Sequence, residues 1–205
     1  MTTADLSGRF VLNRTISDST DRILTLQGVP WYTRKIIGYA TLTIDMTHYY
    51  GKAADPDAKL PEDRDGDDFE HIDVTQSVSG ISSTQENRTF SGLPRPHEDY
   101  VFGPVIGMSK RVPASDISDP STVLGKYEFL QKNWTKDTLD AEKGLIYTTA
   151  SSDTPKSNKT WTAEQVWGFE EIDGVKYFSR HVHFFTPDET VTARMIYDYV
   201  GPVPV

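Results

Sequence analysis

Arg180 in "VKYFSRHVHFF" and Arg194 in "TVTARMIYDYV" are the side chains whose type and setting point most directly to chemistry. A guanidinium among aromatic residues needs an acceptor, because an unpaired buried charge is costly. The acceptor can be solvent, an internal carboxylate, or the carboxylate, enolate or carbonyl oxygen of a ligand, which a planar fork of donors recognises. Gln165, two residues before Trp167, can orient such a ligand with its amide. In "TLTIDMTHYY", His48 shares a strand face with Leu42, Ile44 and Met46. An inward imidazole there can shuttle a proton near neutral pH, or it can sit satisfied at the core's rim.

Other candidate chemistry is weaker. His181 and His183 point to one face, and Glu164 falls opposite His183, which is part of a zinc ligand set. No further ligand pair lies nearby in sequence, so surface histidines are expected, one of them paired with Glu164 across the sheet, and no metal is assigned. "LPRPHEDY" holds Arg95, His97 and Glu98 between prolines and reads as a turn. The acidic run from Asp55 to Asp73 fails the EF-hand pattern: counted from Asp63, Gly66 falls at the fourth position where the sixth is required. The glycines of "FGPVIGMS" lack the spacing of a nucleotide loop, and no G-x-S-x-G elbow occurs. There is no cysteine, so thiol chemistry and disulfides are excluded.

A net charge of −9 disfavours nucleic acid and anionic membranes as partners, since both need a basic face. Aromatic residues make up 11% of the 205, enough for one sizeable core, and one domain spanning 1–205 is expected. No apolar run is long enough to span a membrane. "MTTADLSGRF" shows no secretory leader, and with the lack of cysteine this predicts a cytoplasmic protein. A homodimer is neither favoured nor disfavoured.

The elements that must position these side chains are strands. Apolar and polar residues alternate near 8–16, 40–50, 69–79, 81–91, 99–112, 124–134, 144–150, 160–172, 175–186 and 190–200. Asp173-Gly174 in "GFEEIDGVKYF" predicts a two-residue hairpin turn, and Ser79-Gly80 a weaker one. Pairing Ile172 with Val175 sets Trp167 opposite Arg180 and Phe169 opposite Phe178. That face, with Trp161, Gln165, Val182 and Phe184, is the more aromatic and is assigned to an interior cavity. A three-residue turn at 187–189 would place Thr192, Arg194 and Ile196 on the same inner face.

"LQGVPWYTRKIIGY" interrupts the strands with two helical turns. Asp18 can cap a helix through Gln27, Gly28 can end it, and Pro30 can start a second. Trp31, Tyr32, Ile36 and Tyr39 would then pack downward. Successive antiparallel strands leave edges unless they close. The expected fold is therefore all-β: a single antiparallel up-and-down barrel with a helix-turn-helix lid between its first two strands.

The opening, with Gly8 and Phe10 in the first strand, Gly28 between two short helices and Arg34-Lys35 before the second strand, resembles fatty-acid-binding proteins. The "VWGF" and "FGPVIG" strands make the chain similar to fungal lipocalin-like proteins of the calycin type. The resemblance implies a hydrophobic small-molecule ligand, no cofactor and no metal. It favours a cofactor-independent isomerase or cyclase of secondary-metabolite biosynthesis, with a carrier of fatty acids or similar amphiphiles as the alternative. On the first reading Arg180 and Arg194 stabilise negative oxygen, Gln165 orients the substrate and His48 moves a proton. Trp31, Trp167, Phe169, Phe178 and Phe184 line the ligand.

Overall fold

The computed structural model describes residues 1–52, 68–78, 82–99 and 101–204. Most of the acidic run and the Ser79-Gly80 turn lie outside them. The elements are β1 (Gly8–Leu12), α1 (Asp21–Leu26), α2 (Trp31–Tyr39), β2 (Leu42–Gly51), β3 (Phe69–Val78), β4 (Ser82–Thr89), β5 (Arg95–Asp99) and β6 (Gly103–Val112). They continue with α3 (Val123–Lys126), α4 (Lys136–Leu139), β7 (Leu145–Ser152), α5 (Thr154–Ser157), β8 (Thr162–Ile172), β9 (Val175–Phe185) and β10 (Thr190–Gly201). The ten strands of the described residues form one antiparallel sheet in the order β4-β3-β2-β1-β10-β9-β8-β7-β6-β5. The sheet curls into an all-β, calycin-type barrel. Its first strand pairs with its last, while β4 and β5 share no ladder. Among the described residues no helix is long and apolar enough to cross a membrane.

The β8–β9 hairpin has the expected register, with Trp167 opposite Arg180 and Phe169 opposite Phe178. Asp173 (φ 52°) and Gly174 (φ 77°) both take the left-handed conformation that a two-residue turn of matching twist demands. The next turn departs from expectation. Thr190 pairs with Phe185, so residues 186–189 form a four-residue connection, closed by the Thr186 N–H on the Glu189 carbonyl. The added residue reverses the faces of β10, because side chains alternate with a period of two. Met195 faces Arg180 across the ladder, Ala193 faces Val182, and Arg194 joins His181 on the outer side.

Three further expectations are corrected. The strand expected near 124–134 is a chain of short helical turns, which with 3₁₀ turns at 114–118 and 128–130 packs on the outside of the barrel. The flank docks on β8: Thr135 N–H bonds to the Phe169 carbonyl, and Phe169 N–H to Thr138 Oγ1. Gly168 permits the approach, since a Cβ there would meet Thr138 Cγ2 at 2.5 Å and Trp134 at 2.9 Å. His181 and His183 are therefore covered rather than on the surface. Secondly, "RPHED" is β5, not a turn. Pro96 is tolerated because this strand pairs on one side only.

Thirdly, the lid turns its aromatics outward. Gly28 (φ 79°) follows α1 as expected, but Asp18 accepts the Arg194 N–H instead of capping that helix. Helix α2 buries none of its residues fully, and Trp31 is 68% and Tyr39 84% exposed. Tyr32 and Ile36 are exposed as well, while Ile37 is the α2 residue that reaches the interior.

The barrel has two unlike ends. Around β1 and the turn end of the β8–β9 hairpin it is filled by Leu6, Phe10, Ile44, Met46, Trp167, Phe169, Phe178 and Tyr197. Toward the lid, a smaller cluster joins Ile23 of α1 to Trp161, Val182 and Phe184. The hollow lies between.

Candidate functional site

The hollow is a cavity of about 220 Å³. Its apolar wall includes Ile23, Leu24, Ile37, Leu42, Val74, Trp161 and Val182, and its polar groups include Gln76, Glu86, Arg88, His97, Gln165 and Arg180. These come from the lid and from strands on both sides of the β4/β5 interruption.

Arg180 projects inward from the middle of β9 and is 8% exposed. Its guanidinium carbon lies 3.9 Å from the centroid of Trp167, with the Phe178 and Tyr197 rings at 5.6 and 5.5 Å. Stacking on an indole in a dry setting is worth about 2 kcal/mol, which only partly offsets desolvation. Burial holds this guanidinium below its usual range, with the neighbouring positive charge of Arg88 acting in the same direction. Nε and Nη2 are buried and have no hydrogen-bond partner among the described residues. Buried donors are ordinarily satisfied, so an unpaired pair at a cavity is a candidate contact for a ligand oxygen. Gln165 does not fill the need, because its Oε1 accepts the Trp167 Nε1–H at 3.1 Å. Burial pushes the Tyr197 phenol upward, against the pull of Arg180, so it stays neutral, and its hydroxyl points to Met195 Sδ.

Arg88 on β4 completes the floor. It is 7% exposed and lies 4.9 Å from the same Trp167 ring. Its Nη1 bonds to Ser109 Oγ on β6, bridging strands that share no backbone ladder, and its Nη2 lies 2.6 Å from Glu86. Sequence reasoning passed over this residue. "SSTQENRT" is polar throughout, so no apolar alternation marks which face looks inward. Only the pairing of Arg88 with Ile72 and of Glu86 with Val74 assigns those side chains to the interior.

The other expected site residues distribute as follows. Gln165 and Arg180 line the cavity together. Trp167 lies beneath Arg180, Phe169 and Phe178 belong to the packed half, and Phe184 stacks 5.7 Å from the cavity-lining Trp161. Trp31 is on the lid's outer surface.

Arg194 lies outside the barrel, 3.3 Å from Glu170 Oε2. Glu170 also accepts from Ser179 (2.5 Å) and from His181 Nε2 (2.8 Å), while His181 Nδ1 faces the Phe129 carbonyl at 3.0 Å. Burial works to raise the Glu170 carboxyl, but the His181 and Ser179 hydrogen bonds outweigh it and hold it low. On the same outer face Glu164 pairs in register with His183, which stacks on Tyr127 with centroids 3.7 Å apart. Burial pushes Glu164 up and His183 down.

His48 lies at the far end from the lid. Its Nδ1 accepts the Leu6 N–H at 3.1 Å, so its ring hydrogen sits on Nε2 and is donated to Glu70 at 2.8 Å. Glu70 also takes the Arg111 fork through Nε and Nη2. Arg111 further bonds to the carbonyls of Thr3 (2.7 Å) and Gly144 (3.0 Å), which ties the N-terminal segment across this end. Burial would raise the Glu70 carboxyl, yet the His48 and Arg111 contacts bring it to about 2. Among the described residues, no group of three or more His, Asp or Glu is gathered as metal ligands would be.

No family model matches the chain. It is 23% identical over 212 aligned residues to a probable pericyclase from Mollisia scopiformis, an alignment covering 98% of this chain and 93% of that protein. It is 26% identical to a pericyclase from an Acremonium species, over 93% of this chain and 89% of the other. Among solved structures, a mutant of a fatty acid transporter superposes with a TM-score of 0.50 at 15% identity, covering 97% of this chain and all of that one. At that identity the likeness concerns the fold. The chain is an antiparallel β-barrel of calycin type with the fold of that transporter, and nearly all of its length is similar to two proteins named as pericyclases.

Proposed function

We propose that the cavity binds a hydrophobic small molecule and that the chain is a cofactor-independent pericyclase, an isomerase or cyclase acting in secondary-metabolite biosynthesis. The observation that carries this reading is the Arg180 guanidinium, buried against Trp167 at the floor of a largely apolar cavity with two donors unpaired. A pericyclic reaction moves electrons around a ring of reacting atoms and requires no nucleophile and no net proton transfer. A barrel accelerates it by holding a flexible chain folded, with reacting carbons near contact distance. It also places donors at the oxygen that gains charge as electrons shift. Arg180 serves as that donor, Trp167 and Trp161 as the floor and wall, and Ile23, Leu24 and Ile37 of the lid as the cover that excludes water. The two pericyclases to which nearly the whole chain is similar support this class of reaction.

The earlier assignment of a proton shuttle to His48 is not carried into this mechanism, because its two nitrogens are engaged by Leu6 and Glu70 away from the cavity. A second reading is a carrier of fatty acids or similar amphiphiles, which the buried Arg180 in an apolar hollow favours equally, since a carrier needs one polar anchor and no opposed acid and base. Arg194 acts in neither reading, since it pairs with Glu170 on the outer face.

The test is incubation of the purified protein, without added cofactor, with a small-molecule extract of its source. Native mass spectrometry reports what binds, and chromatography reports what changes. Formation of an isomer of unchanged mass by the wild type, slowed about 100-fold in Arg180→Met, is the expected result. A ligand recovered intact establishes the carrier instead. If nothing binds and nothing changes, the cavity is not a binding site.

A further inference from the structure

Two guanidinium groups, not one, converge on Trp167, at 3.9 Å for Arg180 and 4.9 Å for Arg88. Glu86 is the one carboxylate among the described residues lining the cavity, and it pairs with Arg88. The pairing is made from the wet side: the Glu86 side chain is 38% exposed, while that of Arg88 is 6% exposed. Among the described residues, one positive charge in the cavity is left with no anion. The donor count agrees. Arg88 Nε joins Arg180 Nε and Nη2 as buried donor nitrogens with no acceptor among the described residues. The neighbouring acceptors do not serve them, since Gln165 Oε1 is held by Trp167 and Ser109 Oγ takes only Arg88 Nη1. Bridging β4 to β6 thus uses one edge of the Arg88 fork and leaves Nε over.

We infer that Arg88 is a second ligand-binding residue, and that the occupant is a monoanion whose charge is shared by two oxygens, a carboxylate or the enolate of a 1,3-dicarbonyl, seated between Arg88 and Arg180. This rests on the reading of the cavity as a site for a hydrophobic small molecule and narrows its ligand class. Such a head group neutralises the uncompensated charge and supplies enough lone pairs for the three idle donors. The apolar remainder of the molecule then runs toward Trp161 and the lid. The Arg88 side chain serves both the seam and the ligand, so head-group binding also tightens the interrupted side of the barrel.

The test compares decanoate with methyl decanoate, which share a chain and differ in charge. Binding to the full chain is followed by tryptophan fluorescence and calorimetry near neutral pH. The acid is expected to bind the wild type about 10- to 100-fold more tightly than the ester, the range of a charge-assisted hydrogen bond. Arg88→Met should cut that preference several-fold with little change for the ester, and Arg180→Met should abolish it. Ser109→Ala, which keeps the guanidinium and loses only the seam bond, should preserve it. Arg88→Lys, which keeps the charge without the fork, should fall between and guards against a misfolded Met variant. Equal binding of acid and ester by the wild type overturns the monoanion, and a full acid preference in Arg88→Met removes Arg88 from the site. In both cases the hydrophobic-cavity reading stands, because the ester is bound. If neither probe binds, both readings fail together.

Discussion

At the end of the barrel far from the lid, Glu70 takes hydrogen bonds from His48 and Arg111, and Arg111 spends its remaining donors on the carbonyls of Thr3 and Gly144. Toward the lid, Arg180 is buried to a similar degree, yet its Nε and Nη2 meet no acceptor among the described residues and its guanidinium lies over an indole face. Both regions contain buried charge in an antiparallel barrel, so burial alone does not distinguish them. What differs is satisfaction. A closed network in low dielectric fixes one arrangement of the chain, whereas an open one stores a desolvation cost that a ligand can relieve. The comparison implies that charge removal at the two ends changes stability in opposite directions.

The largest expected effect is at the closed end. Arg111→Met leaves the Glu70 carboxylate buried and only partly compensated, and should destabilise the fold by about 3–5 kcal/mol in a urea titration. Retention of full stability would show that water or another cation replaces Arg111. Next is the pH dependence of that network. The Glu70 carboxyl titrates near 2 in the fold against an ordinary 4.5, so its contribution is fully present above about pH 4.5 and lost as pH falls toward 2. Linkage puts this on the order of 3 kcal/mol, and Glu70→Gln should flatten that part of the acid unfolding profile.

Arg180→Met should move stability the other way. It removes an uncompensated buried charge at roughly constant volume, so thermal unfolding should shift upward by about 2–4 °C, equivalent to about 1 kcal/mol. A fall instead would show that the stack on Trp167 outweighs desolvation and that the site is not poised for an anion. The smallest effect belongs to the lid's rim, where Arg22 of α1 pairs with Glu189 in the β9–β10 turn, both partly exposed. Arg22→Ala should lower stability only slightly at low salt in thermal unfolding, and less as ionic strength rises.

Much of the barrel was legible because strands announce themselves by alternation. Asp173-Gly174 gave the register of the β8–β9 hairpin, and from that register came the inward face of Trp167, Phe169, Phe178 and Arg180. The break at Gly28 marked the two lid helices. Failures came where a local signal had two readings. The segment 187–189 admitted a three- or a four-residue connection, and the choice reversed every side chain of β10, sending Arg194 out and Met195 in. The amphipathic sequence from Val123 to Trp134 contains apolar residues that suit a strand, yet it folds as helical turns because Gly168 opens a seat for Trp134 and Thr138 on the barrel's outer wall. That second layer also buried the two histidines whose polar face had looked exposed.

By itself the sequence determined the fold class, the strand pairing about its best turn, the presence of a lid and the inward placement of Arg180 and Gln165. All of these follow from local periodicity and from turn residues with few conformational choices. Only the tertiary structure decided which charges are satisfied. His48 found Leu6 and Glu70, Arg194 found Glu170, and Arg88 came inward from a strand with no apolar face to reveal it. Those outcomes depend on contacts between residues far apart in the chain, and no pattern within a strand encodes them.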